Sequence, residues 1–508
     1  MTIVESVVVA MLGLLAEPGR CESLTALTLP NTTMTSVRWV AEGPYTPPPV
    51  PVGRAAPDQT AAPPILPAHC RVTAVMKPSS DSHIGMELWL PQDWNGKFQM
   101  VGNGGWAGII SYPAMVRALL EGYATASTDA GHRQEGPSAL GGSATFAIGH
   151  REKLIDLAYR SVHETAVQAK AIIASYYRSA ARLSYWNGCS TGGRQGLILA
   201  QKYPDDFDAI LAGAPANSWS EMHAWDLASS VPPTIDPAQR VPATKLALVR
   251  DTVLEACDAK DGVKDGLLNE PRACTFDIAT LQCSGGDSES CLTAPQVMAI
   301  RRLRAPARTA SGQLVFVGLN PGTETGWALR LNGQPVGVAV GSFQVAHDDA
   351  NWDPRTFDLD RDLKIVNEKV GSLLNATNPD LSRFKARGGK LLLFHGWSDP
   401  LIPAGNTINY YDSVLAKMGQ DQADWLRLFM VPGMGHCQGG EGPSQVNWMA
   451  ALERWRESGR APDRIDAARV AANRLEMTRP LCPYPQVADY IGVGSTNDAG
   501  SFVCKVKD

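Results

Sequence analysis

Residues 185–196 read YWNGCSTGGRQG, a glycine-rich run with a single serine at position 190. Ser190 stands in a Gly-x-Ser-x-Gly frame, with an apolar run before it and a helical pattern after it. Small neighbours allow a sharp strand-to-helix turn that lifts a serine hydroxyl above a sheet. The stretch therefore predicts a nucleophilic serine, although a bare Gly-x-Ser-x-Gly frame also occurs by chance.

Strand and helix patterns alternate along both ends of the chain. Apolar runs predict strands in KFQMVGNGG (97–105), YATASTDAG (123–131), GGKLLLFHGWSDP and WLRLFMVPGMGHC, and helical periodicity predicts helices over 151–178, about 404–418 and 445–459. Such alternation is typical of a mostly parallel sheet flanked by helices. With the serine turn, it predicts an α/β-hydrolase fold built from residues 18–216 and 378–508.

The pattern breaks down between residues 217 and 377, where glycines, prolines and isolated tryptophans interrupt it. We interpret this region as an inserted lid domain that covers the edge of the sheet where the strands end. The first 17 residues contain the apolar run VVVAMLGLLA (7–16) and are interpreted as a partial signal peptide. Glu5 stands where such a leader usually carries basic residues.

Composition excludes several classes of partner. The chain has 508 residues, 44% hydrophobic and 19% charged, with a formal net charge of -5. No long run of Lys or Arg is present, so nucleic acid and anionic membranes are poor candidates as partners. No stretch reaches the length of a membrane span.

The ten cysteines form an even set without a Cys-x-x-Cys spacing. This pattern favours disulfides over zinc or redox motifs, and it predicts a secreted or periplasmic protein. The connectivity does not follow from the spacing.

A serine nucleophile needs a base, and the base needs an acid that orients it. In this fold the chain order is Ser, then Asp or Glu, then His. Asp399 ends an apolar strand in LLLFHGWSDP, and His436 follows another in FMVPGMGHC. We predict that Ser190, Asp399 and His436 form a catalytic triad; the alternatives are a turn aspartate before Pro400 and a capped loop histidine.

An oxyanion hole requires two backbone N–H donors. Thr191, directly after the serine, is the first candidate, and the loop VGNGGWAG (101–108) supplies the second, with Gly105 preferred to Gly104. A dinucleotide-binding loop is the rival interpretation, but the Gly-x-Gly-x-x-Gly frame is absent and no ribose-binding acid is evident.

Two cysteines adjoin the predicted triad. Cys189 precedes the serine and Cys437 follows the histidine. A residue just before such a serine points away from the hydroxyl, so Cys189 is badly placed to compete as a nucleophile. A disulfide between the two would hold the serine turn against the histidine loop; the alternative is a pair of buried free thiols.

Together, GCSTGG, SDP and GHC resemble the paired Cys-Ser, Asp, His-Cys pattern of the tannase and feruloyl esterase family, which includes mono-hydroxyethyl terephthalate hydrolases. The resemblance extends from about Cys21 to Cys504. It implies a secreted α/β-hydrolase whose lid shapes a pocket for aromatic esters. It also implies the pairings Cys21–Cys70, Cys257–Cys274, Cys283–Cys291 and Cys482–Cys504 beside Cys189–Cys437.

The segment CDAKDGVKDGLL (257–268) gathers Asp258, Asp261 and Asp265 in one turn-rich loop. Carboxylates crowded together repel unless a cation offsets them, and hard oxygen donors suit Ca²⁺. The resemblance implies a structural calcium site in the lid, completed by the carbonyls of Val263 and Leu267. A solvated acidic turn is the alternative.

Leu401 and Ile402 follow Asp399 and are expected to wall the substrate pocket. Trp106 and Trp397 adjoin catalytic segments and could stack on an aromatic ring, although core packing is the commoner role of such residues.

These features predict a serine esterase that cleaves esters of aromatic acids through an acyl-enzyme, with Ca²⁺ and no organic cofactor. A feruloyl esterase is preferred, and a tannase or a mono-hydroxyethyl terephthalate hydrolase is the close rival. An acyltransferase and an inactive binding module are rivals from other classes. We expect a small-molecule partner and a monomer or homodimer.

Overall fold

The chain builds one large twisted sheet, and the functional residues lie where its strands end. A computed structural model describes residues 17–48, 63–106, 108–133 and 142–506. Apart from Glu17, the predicted leader lies outside the described residues. The nine strands of the sheet are β1 (Thr32–Val40), β2 (His69–Met76), β3 (Ile84–Pro91), β4 (Lys97–Val101), β5 (Ala124–Thr128), β6 (Leu183–Cys189), β7 (Ala209–Gly213), β8 (Lys390–Gly396) and β9 (Leu426–Val431).

The strand order is β1-β2-β3-β5-β4-β6-β7-β8-β9. The first three strands pair antiparallel with their neighbours, and the run from β5 to β9 is parallel throughout. The prediction of a mostly parallel sheet is confirmed. The antiparallel strands at one edge were not predicted, because their short alternating patterns are interrupted by proline-rich sequence.

Helices cover the sheet. In the described part of the chain, those of eight or more residues are α1 (Tyr112–Leu120), α2 (Ser161–Tyr177), α3 (Thr191–Lys202), α4 (Trp219–Ile235), α5 (Ala243–Cys257), α6 (Ala294–Arg304), α7 (Gly337–His347), α8 (Leu359–Val366), α9 (Gly405–Met418) and α10 (Trp448–Ser458). Helix α10 is shorter than predicted because the Asn447 side chain caps its start and Gly459, with a φ of 74°, ends it.

The central strands are buried on both faces. In β8, Leu391 and Leu393 pack into one cluster with α2, α3 and α9, whereas Leu392 and Phe394 pack into another with α1 and α10. Side chains of a strand alternate between faces, so an unbroken apolar run marks a strand covered on both sides. This burial holds the strand ends in fixed positions for the loops that follow.

The chain between Gly213 and Lys390, all of it described, contributes no strand to the large sheet. It contains α4 to α8 and a two-stranded hairpin of Ala307–Arg308 with Leu314–Phe316. Most of its buried apolar residues, Trp225 and Trp327 among them, form one cluster with Trp106 from the loop after β4. This insert is more helical than its sequence indicates, because short helices separated by glycine and proline leave little periodicity.

After α10, the chain ends in two small antiparallel sheets. Ile465–Ala471 pairs with Arg474–Leu481, and Val487–Tyr490 pairs with Phe502–Lys505.

No helix within the described ranges is long and apolar enough to cross a membrane.

Candidate active site

The serine stands at the junction of β6 and α3. Ser190 has φ 64° and ψ -123°, outside the backbone regions that non-glycine residues prefer. Its N–H donates to the Gly213 carbonyl at 3.0 Å. A non-glycine residue in this conformation is strained, and such strain persists only where the surrounding structure fixes it. The backbone here has the form of a nucleophile elbow.

Two glycines make this turn possible. A Cβ on Gly188 would lie 2.4 Å from the carbonyl oxygen of Gly192, and a Cβ on Gly193 would lie 2.3 Å from that of Gly213. Any side chain at either position would therefore push the turn away from the sheet. Gly192 is less constrained, because its nearest contact, the Asn103 carbonyl oxygen, would lie at 3.1 Å.

Asp399 follows β8 and is fully buried. One carboxylate oxygen, Oδ1, accepts the N–H groups of Leu401 at 2.8 Å and Ile402 at 3.1 Å; Oδ2 accepts from His436 Nδ1 at 2.7 Å and His395 Nε2 at 3.1 Å. Burial alone would raise the pKa of Asp399, but the charge of His436 and hydrogen bonds from both histidines outweigh it and hold that pKa well below its usual range. The carboxylate therefore stays ionised.

His436 lies in the loop after β9, with 19% of its side chain exposed. Because Nδ1 donates to Asp399, the neutral ring carries its proton there and presents the lone pair of Nε2. An imidazole in this tautomer can accept a proton from a serine hydroxyl. The structure thus brings together the predicted acid and the predicted base.

A second histidine on the same carboxylate escaped the sequence analysis. His395 is fully buried; its Nε2 lies 3.0 Å from the Ile402 carbonyl as well as near Asp399, and its Nδ1 lies 2.7 Å from Thr407 Oγ1. Two acceptors at Nε2 require the proton on that nitrogen. The sequence FHGWSD hinted at this contact, since His395 precedes Asp399 by only four residues across a turn.

The disulfide Cys189–Cys437 joins the serine turn to the histidine loop, with 5.9 Å between the two Cα atoms. Cys437 also has a positive φ, 67°, so both ends of this link adjoin or occupy strained backbone. The four other expected pairings, Cys21–Cys70, Cys257–Cys274, Cys283–Cys291 and Cys482–Cys504, are confirmed as well. The alternative of two free thiols beside the triad is therefore wrong.

The predicted oxyanion donors are neighbours. Thr191 Oγ1 donates to the carbonyl of Gly105 at 3.0 Å, which places the start of α3 against the loop after β4. Gly105 has a φ of 56°, a conformation that glycine adopts without strain. Gly104 lies one residue earlier in the same loop.

A buried amide pair, which no local sequence pattern predicts, fixes that loop. Gln195 of α3 accepts the Asn103 N–H and donates to the Asn103 side chain, both at 3.0 Å. The Asn103 side chain in turn donates to the carbonyls of Ile109 and Thr128. The helix that begins at the serine therefore also positions the glycine loop.

The predicted pocket residues occupy different places. Leu401 and His436 line a cleft of about 340 Å³, and the insert also lines it through Arg250 and Leu254. Ile402 is 3% exposed and packs in the core of the insert.

Both candidate tryptophans are buried. Trp106 packs edge-to-face on Trp219 and donates to the carbonyl of Val338 at 2.9 Å. Trp397 is 2% exposed, with the Arg272 guanidinium over its ring. Both therefore have the packing contacts of core residues, and their contact with substrate stays a prediction.

The acidic loop of the insert is closed by its own backbone. Each of Asp258, Asp261 and Asp265 accepts backbone N–H groups from residues two to eight positions on. Asp265 also receives Arg479 at 2.6 Å, yet burial is the larger influence and raises the pKa of Asp265. The loop therefore holds partly buried negative charge, and the Arg479 guanidinium contacts one of its carboxylates.

A cation would fit that charge. The Asn269 side-chain oxygen beside this loop is buried without a hydrogen-bond donor, and an unsatisfied oxygen suits a hard cation. Within the described ranges, however, no group of three or more His, Cys, Asp or Glu side chains is already arranged around a common point. Calcium at this loop stays a prediction.

Comparison with known proteins gives consistent matches. The family described as tannase and feruloyl esterase matches residues 70–505. An uncharacterized esterase of Xanthomonas campestris pv. campestris is 38% identical, covering 97% of this chain and 92% of its own. A protein of Aspergillus terreus named "Probable feruloyl esterase B-2" is 33% identical, covering 86% of each chain.

Among solved structures, feruloyl esterase B from Aspergillus oryzae superimposes with a TM-score of 0.88 and 30% identity, covering 96% of this chain and 100% of its own.

Proposed function

The chain belongs to the tannase and feruloyl esterase family and is a carboxylic ester hydrolase, and we propose that it cleaves feruloyl-type esters of aromatic acids. Two relatives at 33% and 30% identity carry the name feruloyl esterase B. The substrate class rests on those names and on the cleft beside His436.

The hydrogen bond between Asp399 and His436 is the main support for the mechanism. The Asp399 carboxylate accepts the Nδ1–H of His436 at 2.7 Å, while the Cys189–Cys437 disulfide ties that histidine loop to the serine turn. We infer that His436 Nε2 takes the proton of the Ser190 hydroxyl as its oxygen attacks the ester carbonyl. The buried carboxylate stabilises the imidazolium that forms.

The negative oxygen of the tetrahedral intermediate needs donors in place before the reaction begins. The Thr191 N–H, at the first turn of α3, and the Gly105 N–H supply them in this proposal, with Gly104 as the second choice in that loop. The Thr191–Gly105 hydrogen bond supports it, since it holds the two segments together. His436 then protonates the leaving alcohol, and water releases the acid by the reverse steps.

The cleft is large enough for an ester with a bulky group. Its volume of about 340 Å³ lies in the range of small-molecule pockets, and its walls come from both the catalytic loops and the insert. Leu254, Leu268 and Leu401 line the same cleft as His436 and give it apolar surface.

Initial rates on methyl ferulate, methyl gallate and mono(2-hydroxyethyl) terephthalate test the substrate class. We expect kcat/KM to be highest on methyl ferulate, by about tenfold or more, because a fitted pocket gains about 1–3 kcal/mol from each matched group. A preference for gallate or for the terephthalate half-ester would assign the chain to another specificity of the same family. Turnover of none of the three would contradict the proposal.

We further propose that Ca²⁺ binds the acidic loop through Asp258, Asp261 and Asp265, with the carbonyls of Val263 and Leu267. The buried negative charge and the unsatisfied Asn269 oxygen support it. The cation would offset charge and hold the insert in shape, without a part in bond cleavage.

We also propose a secreted or periplasmic location. The five disulfides fit an oxidising compartment, where such links persist.

A further inference from the structure

The insert reaches the triad through one buried arginine. Arg330 lies in the short helix Ala328–Leu331 and is 1% exposed. Its Nη1 donates to the Pro400 carbonyl at 2.6 Å, and its Nη2 donates to the Leu401 carbonyl at 2.8 Å. These two carbonyls belong to the turn directly after Asp399.

The same two peptide groups also hold Asp399. The Pro400 carbonyl shares its peptide unit with the Leu401 N–H, and the Leu401 carbonyl shares its unit with the Ile402 N–H. Both of those N–H groups donate to Asp399 Oδ1, at 2.8 and 3.1 Å. Each peptide unit thus accepts from Arg330 on one side and donates to the triad carboxylate on the other.

Hydrogen bonds in series polarise one another, and the effect is larger where the surroundings are dry. A guanidinium on the carbonyl side draws electron density from the peptide, which strengthens the N–H as a donor. The positive charge of Arg330 would therefore strengthen both N–H groups that donate to Oδ1. It also fixes the plane of both units, and hence the direction of the Asp399 side chain.

The insert fixes Arg330 itself. Asp226 of α4, 2% exposed, accepts from Arg330 Nε at 3.0 Å and from Nη2 at 2.6 Å, and the ring of Trp225 lies 4.4 Å from the guanidinium carbon. Close packing adds to this contact: a Cβ on Gly326 would lie 2.2 Å from the Cβ of Pro400. The arginine has little freedom to leave the turn.

We propose that Arg330 is a positioning residue of the esterase, through which the insert orients the triad carboxylate. The inference rests on the proposed role of Asp399. It makes the insert part of the catalytic machinery as well as a wall of the cleft. The buried pair Asp226–Arg330 then contributes chiefly to the geometry of the turn directly after Asp399.

The test is the double variant Asp226→Leu/Arg330→Met, which removes both charges and keeps apolar volume, so no buried charge is left alone. We expect kcat on methyl ferulate to fall about 10- to 100-fold with KM changed less than about threefold, because small displacements of oriented groups cost this much. The proton of the His436 Nδ1–H···Asp399 hydrogen bond, observed by NMR, should shift or broaden through exchange. Arg330→Lys keeps a cation beside Asp226 and should retain an intermediate kcat.

The matched control is Arg71→Met/Glu87→Gln, which breaks an ion pair between β2 and β3, on the antiparallel part of the sheet. It should lower thermal stability while leaving kcat within about twofold of the wild type. Wild-type kcat and an unchanged NMR signal in Asp226→Leu/Arg330→Met would overturn the inference, as would an equal loss of kcat in the control. A separate variant, Ser190→Ala, tests the proposed function itself. Wild-type turnover in Ser190→Ala would refute the serine mechanism, whatever the result for Arg330.

Discussion

At the scale of single residues, the site depends on how many donors one carboxylate receives. Asp399 accepts four hydrogen bonds while fully buried, and this number explains why it stays ionised without contact with water. Burying an isolated charge is costly, and each charge-assisted hydrogen bond offsets part of that cost. The two histidines share Oδ2, so His395 contacts the same carboxylate that orients the base in the proposed mechanism.

His395 therefore permits a matched comparison. His395→Gln retains an amide donor near the position of Nε2, whereas His395→Leu leaves Oδ2 with His436 alone. We expect His395→Leu to lower kcat about 10- to 100-fold and His395→Gln to lower it less than about fivefold, with KM little changed in both. Steady-state kinetics on methyl ferulate would measure this, and equal activity of the two variants would refute the role of the donor.

At the scale of elements, the disulfide joins two loops that the sheet alone does not connect. Cys189 and Cys437 lie 248 residues apart in sequence, and the link holds the end of β6 against the loop after β9. Constraining a long loop of the unfolded chain also stabilises the fold, by about 5 kcal/mol for a loop of this length in the chain-entropy model.

Replacing both of these cysteines by alanine separates the two effects. We expect kcat to fall about 10- to 100-fold, because the base loses its fixed distance to the serine. The matched control is Cys482→Ala/Cys504→Ala, which removes a link between residues 22 apart near the C-terminus. It should lower Tm and preserve kcat at temperatures where both variants are folded. Full kcat without Cys189–Cys437 would show that this disulfide does not position the base.

A short turn of the insert gives a prediction on pH. Glu324 begins the turn Glu324–Gly326 and is 1% exposed; burial raises its pKa to about 7, although hydrogen bonds from backbone N–H groups oppose the rise. Between pH 4.5 and 7 the folded state therefore binds more protons at this site than the unfolded state. Stability that is present at low pH is lost as pH rises through that window.

Glu324→Gln should remove this dependence, since an amide accepts the same Gly322 N–H without a charge. We expect the variant to equal the wild type near pH 4 and to exceed it by up to about 3 kcal/mol near pH 8, which is the free energy of a shift of that size. Urea unfolding at the two pH values would measure the difference. Parallel pH profiles of the two proteins would show that Glu324 is not the cause.

For the molecule as a whole, local sequence patterns predict strands and turns, whereas contacts between residues far apart in the chain become visible only in the structure. Short runs of sequence predict the serine turn, the strands β4, β5, β6, β8 and β9, and the candidates Asp399 and His436, because strand periodicity and glycine requirements are local. His395, Gln195 and Arg330 escaped prediction, since a buried polar side chain gains its meaning from a partner that only the fold supplies. Arg330 and Pro400 lie 70 residues apart, and no local pattern joins them.

The acidic loop of the insert gives a prediction on the stability of the whole molecule. If Ca²⁺ occupies the acidic loop, chelation with EDTA should lower Tm by several degrees, because a ligand bound only to the folded state stabilises it by mass action. Asp261→Asn should reproduce most of that loss and respond little to further chelation. Identical melting curves with and without EDTA, and no metal on elemental analysis, would contradict the calcium proposal.

Ser190 is the proposed nucleophile, and the mechanism depends on it more than on any other residue. The most direct measurement is the rate at which Ser190→Ala hydrolyses methyl ferulate, with circular dichroism confirming that the variant is folded. We expect kcat to fall by at least about 10⁴-fold, because a triad then loses its attacking oxygen. A folded Ser190→Ala protein with a rate within tenfold of the wild type would contradict it.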